Sequence, residues 1–249
     1  MGWLDRFKRG GQRGSEDALG APDVARVASP TNAEPVGFRL PASLALADDV
    51  EAELRERAWR WVVRGDDDAQ SFVECIEDEM EAWGIDEATV ETAFASVVAA
   101  RRAQQSMWDP AARTGLTRAF EALAERGIVA REHFSCCGNC ASGEIYDERD
   151  DSQRWRGYVY YHQQDTDGLI DSRSTYIGYG AFMDAWTTET EWMALPDAER
   201  EQRYARIVTA LMRDDVIPVL EAHGATVVWD GSLGTRIRLD NVDYLAHLS

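Results

Sequence analysis

Lysine is almost missing from this chain of 249 residues, because Lys8 is its only lysine among 26 basic residues. Cysteine is scarce, with four residues, and no apolar run approaches the roughly 20 residues that a membrane helix requires. The first residues contain neither the apolar core nor the cleavage site of a secretory signal. We therefore expect a cytoplasmic protein without a transmembrane segment, whose cysteines are thiols or metal ligands rather than disulfides.

Positive charge is the second deficit. The 45 acidic residues outnumber the 26 basic ones, and the formal net charge is −19. We do not expect the protein to bind nucleic acid, because a phosphate backbone requires a positively charged face. A surface this acidic favours solubility, and a basic protein is the partner whose charge would complement it.

Residues 1–37 lack apolar periodicity and are predicted to be a disordered tail. The tail starts with a short basic stretch that contains Trp3, Leu4 and Phe7. Such an arm could weakly contact a membrane surface or the acidic body of the protein, since one turn of helix binds weakly.

Residues 38–108 have the apolar repeat of helices, with three segments that begin near Val50, Phe72 and Val90. Short connections between them predict a small antiparallel bundle. Cys75 lies beside the apolar stripe of the second segment, and we expect it to be buried as a small apolar residue.

Residues 109–249 predict an α+β domain, so the expected fold class is α+β, with an N-terminal three-helix unit followed by a mainly antiparallel sheet packed with helices. Aromatic and β-branched residues mark strands at 157–164 and 174–182, which we expect to pair as one hairpin joined by the polar loop "QDTDGLID". A long helix over 197–223 should kink or break near Asp215, because Pro218 falls inside it, and a second hairpin should close the domain.

Four sequence segments in this half carry a family resemblance: "RAFEALAERGIVAREHFSCCGNCASGEI", "GYVYYHQQDTD", "TYIGYGAF" and "VVWDGSLGTRIRL". In this order they cover roughly residues 117–240 and resemble an uncharacterised bacterial family that is known only as a domain of unknown function. The resemblance implies that Cys136, Cys137, Cys140, His162 and Asp165 occupy family motif positions. It implies no activity.

The stretch "FSCCGNC" (134–140) holds three of the four cysteines and is compatible with a metal site. A thiolate pair three residues apart can share one zinc ion, and a closed site needs four ligands. Cys136, Cys137 and Cys140 with His162, or with His133, would complete the set. Zinc is therefore a possible cofactor, although adjacent cysteines would need an uncommon backbone to bind one ion.

The same stretch is also compatible with a reactive thiol. A cysteine at the start of a helix has a lowered pKa, and a second cysteine three residues later can resolve a mixed disulfide. Cys137 would be the redox or nucleophilic thiolate, Cys140 the resolving thiol, His162 the base, and Asp165 or Asp167 the residue that orients it.

The third interpretation gives the cysteines no chemistry, with the three sulfurs packed beneath the sheet. We take a thiol-based site near His162 as the best interpretation of the sequence. The alternative is a non-catalytic, acidic protein-interaction module whose cysteines are structural or hold a zinc ion.

Overall fold

The structure is a computed structural model that describes residues 29–248. The predicted arm with Trp3, Leu4 and Phe7, and most of the predicted disordered tail, lie outside these residues. The last part of that tail is attached to the body of the protein. The buried guanidinium of Arg101 donates to the carbonyl of Thr31 at 2.8 Å and to the side-chain oxygen of Asn32 at 3.1 Å.

The helical unit consists of four segments. They are α1 (Asp48–Val63), α2 (Ala69–Cys75), α3 (Glu77–Trp83) and α4 (Glu87–Gln105). The second predicted helix is divided into α2 and α3, because the backbone leaves the helical conformation at Ile76 (φ −116°, ψ 23°). Leu54 and Val62 from α1 and Phe94 from α4 are almost fully buried, and Phe94 stacks on Phe72 at 4.7 Å.

The second part of the chain adds the following elements: α5 (Gly115–Ala124), β1 (Ile128–Arg131), α6 (Gly138–Glu144), β2 (Gly157–Tyr160), α7 (Gln163–Ser172), β3 (Ser174–Ala181), α8 (Glu189–Met193), α9 (Asp197–Leu211), α10 (Ile217–Ala222), β4 (Thr226–Val228) and β5 (Ile237–Asp240). The strands form one sheet of order β1-β2-β3-β5-β4. Only the β1–β2 pair is parallel among the pairs of this sheet, so the predicted α+β class with a mainly antiparallel sheet is confirmed.

The predicted hairpin of β2 and β3 is wrong. The two strands do pair antiparallel, but α7 lies between them where a polar loop was expected. Thr166 and Leu169 are buried at helical spacing, and Arg173 ends the helix in the left-handed conformation (φ 55°). Gly168 permits this packing, because a Cβ there would lie 2.7 Å from the carbonyl oxygen of Ser174.

Helices cover the two faces of the sheet unequally. α5, α9 and α10 pack on one face against Val159, Ile177, Ile237 and other apolar residues. On the opposite face, Ala141 of α6 and Ile145, which follows α6, pack with Val129 of β1 and with Tyr158 and Tyr160 of β2.

The long C-terminal helix is interrupted near Asp215, as predicted. A π-helical turn, Met212–Val216, separates α9 from α10. Pro218 has no N–H to donate to the preceding turn, which is the usual cause of such an interruption.

The helical unit and the sheet domain contact each other through α7. Arg60 and Arg64 of α1 form ion pairs with Asp171 and Asp167 of α7. Ile170 packs against the apolar clusters of both parts. The boundary near residue 108 stays a prediction. Within residues 29–248, every helix is too short or too polar to cross a bilayer.

Candidate functional site

The cysteine motif follows the edge strand β1 and opens α6. Ser135 has a left-handed backbone (φ 58°), which is uncommon for a residue with a side chain. Backbone hydrogen bonds hold the loop on either side of this turn: Phe134 N–H donates to Tyr161 O at 2.9 Å, and Gln163 N–H donates to Ser135 O at 3.1 Å. The chain therefore changes direction just before the two adjacent cysteines.

This turn brings the three predicted cysteines together. The sulfur atoms of Cys136, Cys137 and Cys140 all lie within 4.8 Å of one another. Cys136 and Cys140 are exposed and Cys137 is half-buried, whereas Ala141 on the same helix is fully buried. Packing beneath the sheet is therefore the role of Ala141 and not of the cysteines. Cys75, which we expected to be buried, is exposed.

The pKa values of Cys137 and Cys140 shift in opposite directions. Cys137 precedes the first residue of α6 and forms no standard side-chain cap hydrogen bond. The backbone N–H groups of Cys140 and Asn139 nevertheless face its sulfur and lower the pKa of its thiol, with smaller effects from the Cys140 and Cys136 thiols. The Cys136 and Cys137 sulfurs raise the pKa of Cys140 to about 11. Cys137 therefore gives up its proton more easily than Cys140 does.

His162 lies beside the first turn of α6. A Cβ built on Gly138 would lie 3.6 Å from both Cδ2 and Nε2 of the imidazole, so the ring is in contact with this turn. Its nitrogens do not join the sulfur cluster: in residues 29–248, the three sulfurs have no further His, Cys, Asp or Glu ligand atom within 4.8 Å of them all. The alternative ligand His133 is turned away and bonds through Nδ1 to Thr166 Oγ1 at 2.7 Å.

Asp165 contacts His162 through both its ring and its backbone. Nε2 of His162 lies 3.0 Å from Asp165 Oδ2, and the same carboxylate accepts a 3.3 Å hydrogen bond from the His162 backbone N–H. Burial lowers the pKa of His162, an effect that Asp165 opposes and Arg236 reinforces. A neutral ring that donates Nε2–H to Asp165 has its lone pair on Nδ1, which is buried and has no hydrogen-bond partner in the described part of the chain.

Arg236 is the site residue that the sequence interpretation missed. It precedes β5 and binds Asp165 with both terminal nitrogens, at 3.0 Å from Nη1 to Oδ1 and 2.5 Å from Nη2 to Oδ2. The sequence signal that could have indicated Arg236 was its position in "VVWDGSLGTRIRL", one of the four segments of the family resemblance. The carboxylate that follows the cysteine motif along the chain is thus matched by an arginine 71 residues later.

Two tyrosines and two glycines form the sheet surface beside α6. The rings of Tyr158 and Tyr160 stack at 6.1 Å and lie over the neighbouring strand β3. A Cβ on Gly178 would come within 2.5 Å of the Tyr160 ring, and one on Gly180 within 2.4 Å of the Tyr158 ring. The alternating glycines of "TYIGYGAF" are therefore required by the aromatic side chains of the adjacent strand.

A trough of about 300 Å³ runs between α6 and the loop that precedes β5. Its walls include Gly138, Ser142, Tyr160, Gly178, Leu233 and Arg236. All four sequence segments of the family resemblance contribute residues to this trough. The sequence had indicated the cysteines but not this concave surface, because its walls come from segments far apart in the chain.

The arrangement has two chemical capabilities. A thiolate beside a thiol of higher pKa can exchange with disulfides. Three sulfurs in one cluster could also hold a metal ion, because thiolates are soft ligands and zinc accepts three protein ligands plus an external one.

Comparison with known proteins gives a family and no activity. Neither the curated proteins nor the solved structures include a match to this chain. One family model, described as "Domain of unknown function (DUF6891)", matches residues 47–246, which include the helical unit as well as the sheet domain. The resemblance seen in the sequence is thereby confirmed, and the chain belongs to the DUF6891 family.

Proposed function

We propose that the protein carries out thiol–disulfide exchange, with Cys137 as the attacking thiolate and Cys140 as the resolving thiol. The observation that supports this assignment is the opposite direction of their pKa shifts within one cluster of sulfurs. Exchange rates depend on the thiolate fraction of the attacking sulfur, and both cysteines are accessible from solvent.

The reaction has two steps. The Cys137 thiolate attacks one sulfur of a substrate disulfide, forms a mixed disulfide and expels the other half as a thiolate. Cys140 then loses its proton to that thiolate and attacks the Cys137 sulfur, which releases the second half of the substrate. Two electrons pass from the protein to the substrate, and a Cys137–Cys140 disulfide remains until a cellular thiol reduces it.

His162 and Asp165 act as positioning residues in this proposal. His162 contacts the helix turn that carries the cysteines, and Asp165 holds the ring. The roles of base and metal ligand for His162 stay predictions. We assign the reaction to the cytoplasm, where low-molecular-weight thiols keep exposed cysteines reduced.

Trapping the mixed disulfide tests this function. Reduced protein with Cys75→Ser is mixed with 2-hydroxyethyl disulfide, quenched with acid and mapped by mass spectrometry. We expect the Cys137–Cys140 disulfide as product, and accumulation of a mixed disulfide on Cys137 when Cys140 is changed to Ser. Adducts that form equally on Cys136, or that persist in Cys137→Ser, would rule out the assignment.

A second candidate function is zinc binding by Cys136, Cys137 and Cys140. The convergence of three sulfurs supports it. When bound, zinc would hold the thiolates or polarise an external ligand.

Elemental analysis of untagged protein tests the second candidate. Stoichiometric zinc that is lost in Cys137→Ser, together with a lower melting temperature in the presence of a chelator, would favour the metal site. Metal-free protein that binds no added zinc but still forms the Cys137–Cys140 disulfide would leave thiol exchange as the function.

A further inference from the structure

The trough beside α6 lies next to the proposed thiol site. We propose that it binds a low-molecular-weight thiol or disulfide that carries a carboxylate, an inference that rests on thiol exchange as the proposed function. The trough would then hold the body of the substrate while its sulfur meets Cys137.

Its position supports this role. Gly138 and Ser142 lie four residues apart, so they share one face of α6, and both line the trough. Cys137 precedes Gly138 directly, and neighbouring Cα atoms are about 3.8 Å apart. A ligand that contacts Gly138 therefore touches the residue next to the cysteine that we assign as nucleophile.

Its size favours a small molecule. A volume of about 300 Å³ is at the lower end of the roughly 300–1,000 Å³ that is typical of ligand sites. Three glycines lie among its walls. The Tyr160 ring fills the space beside Gly178 and His162 lies against Gly138, whereas a Cβ on Gly234 would meet Ser232 Oγ at 3.6 Å, so a ligand can approach the backbone closely at Gly234. Leu233, which is 37% exposed, supplies an apolar wall on the opposite side.

Its charge favours a carboxylate. Arg236 is the charged residue among the described walls, and its side chain is 38% exposed. The carboxylate of Asp165 is 10% exposed and lies outside the walls, so the ion pair presents its positive end to the trough. Burial raises the pKa of Tyr158 and of Tyr160, which keeps both phenols neutral. Asp165 and the Tyr176 carbonyl take the terminal nitrogens of Arg236, and its Nε–H, which has no partner in the described part of the chain, is the cationic donor left for a ligand.

Binding is measured first with an unreactive probe, S-methylglutathione, by titration calorimetry on the full, reduced chain. It has carboxylates but no free thiol or disulfide. We expect binding to the wild type and to Cys137→Ser. Leu233→Asp should weaken binding at least about tenfold, since it adds a negative charge to the wall.

Met193→Asp is the matched control, because it adds the same charge at a site that is 63% exposed and outside the trough. Its affinity should remain within about twofold of the wild type. Absence of binding to the wild type, or an equal loss in the two variants, would overturn the trough as the ligand site.

Reaction with glutathione disulfide separates the two proposals. If S-methylglutathione binds as expected and no Cys137–Cys140 disulfide forms, thiol exchange is refuted while the binding site stands. If the disulfide forms and S-methylglutathione does not bind, thiol exchange stands and the trough is refuted.

Discussion

Arg236 and Asp165 form a bidentate ion pair that joins the start of β5 to the start of α7, with N–O distances of 2.5 and 3.0 Å. The Asp165 carboxylate is nearly buried, with 10% of its side chain exposed. It also contacts Nε2 of the His162 ring at 3.0 Å. One arginine thus balances the charge of the carboxylate that contacts the histidine beside the cysteine turn.

Changing Arg236 to Gln should destabilise the protein by about 1–2 kcal/mol, because a nearly buried carboxylate would lose its cation while solvent partly compensates. Urea unfolding at pH 7 measures the effect. The control is Arg238→Gln in β5, two residues after Arg236, whose pair with Asp240 is more exposed and should contribute about 0.5 kcal/mol or less. Equal losses in the two variants would contradict the special role of Arg236.

Alkylation of Cys137 should depend on Cys140. In a Cys75→Ser background, we expect Cys137 to react with iodoacetamide at a pH where Cys140 stays protonated, because the pKa of Cys137 is lowered and that of Cys140 is raised to about 11. Cys140→Ala removes a thiol that stabilises the Cys137 thiolate, so the midpoint of the rate profile should move to higher pH. The measurement is the pH dependence of peptide-resolved alkylation, and an unchanged midpoint would contradict the coupling.

Acid should weaken the fold in part through His162. Burial lowers the pKa of His162 in the folded chain. Near and below the ordinary value of about 6.5 the unfolded chain therefore binds more protons than the folded chain, and the free energy of unfolding decreases as the pH is lowered. Between pH 7.5 and 5.5, His162→Asn should lose on the order of 1 kcal/mol less than the wild type. His133, whose pKa is also lowered, and Glu132, whose pKa is raised, are present in both proteins. Identical losses would show that His162 titrates alike when folded and unfolded.

Gly168→Ala should destabilise the protein although alanine is the better helix former. The new Cβ would lie 2.7 Å from the Ser174 carbonyl, and relief of such a backbone contact costs about 1–3 kcal/mol, which exceeds the gain of about 1 kcal/mol in helix propensity. Gly143→Ala in α6 is the control, because a Cβ there meets nothing within 4 Å and should be neutral or stabilising. Thermal unfolding of both variants measures the difference, and stabilisation by both would place α7 further from β3.

The predictable elements were those with strong local signals. α1 and α4 have a helical apolar repeat, and the Asp86 side chain accepts the Thr89 N–H at the start of α4. Such patterns depend on residues within one or two turns. The cysteine spacing indicated the position of the candidate site for the same reason, since the three residues lie within five positions.

The wrong predictions concern segments whose neighbours are distant in sequence. "QDTDGLID" is polar and contains a glycine, which is typical of a loop, but it forms α7 because Leu169 and Ile170 find apolar partners elsewhere and Gly168 fits against β3. Cys75 is exposed because the second predicted helix ends at that residue.

The sequence by itself determined the α+β class, the helical unit that precedes the sheet domain, the acidic surface and the clustering of three thiols, since each follows from composition or short-range spacing. Only the tertiary structure decided which sulfur has the lowered pKa within the Cys137–Cys140 pair, which residue balances Asp165, and that a trough lies beside Gly138. Those properties depend on the direction of N–H groups and on contacts between segments as far apart in the chain as Gly138 and Arg236, which arise only when the sheet has assembled.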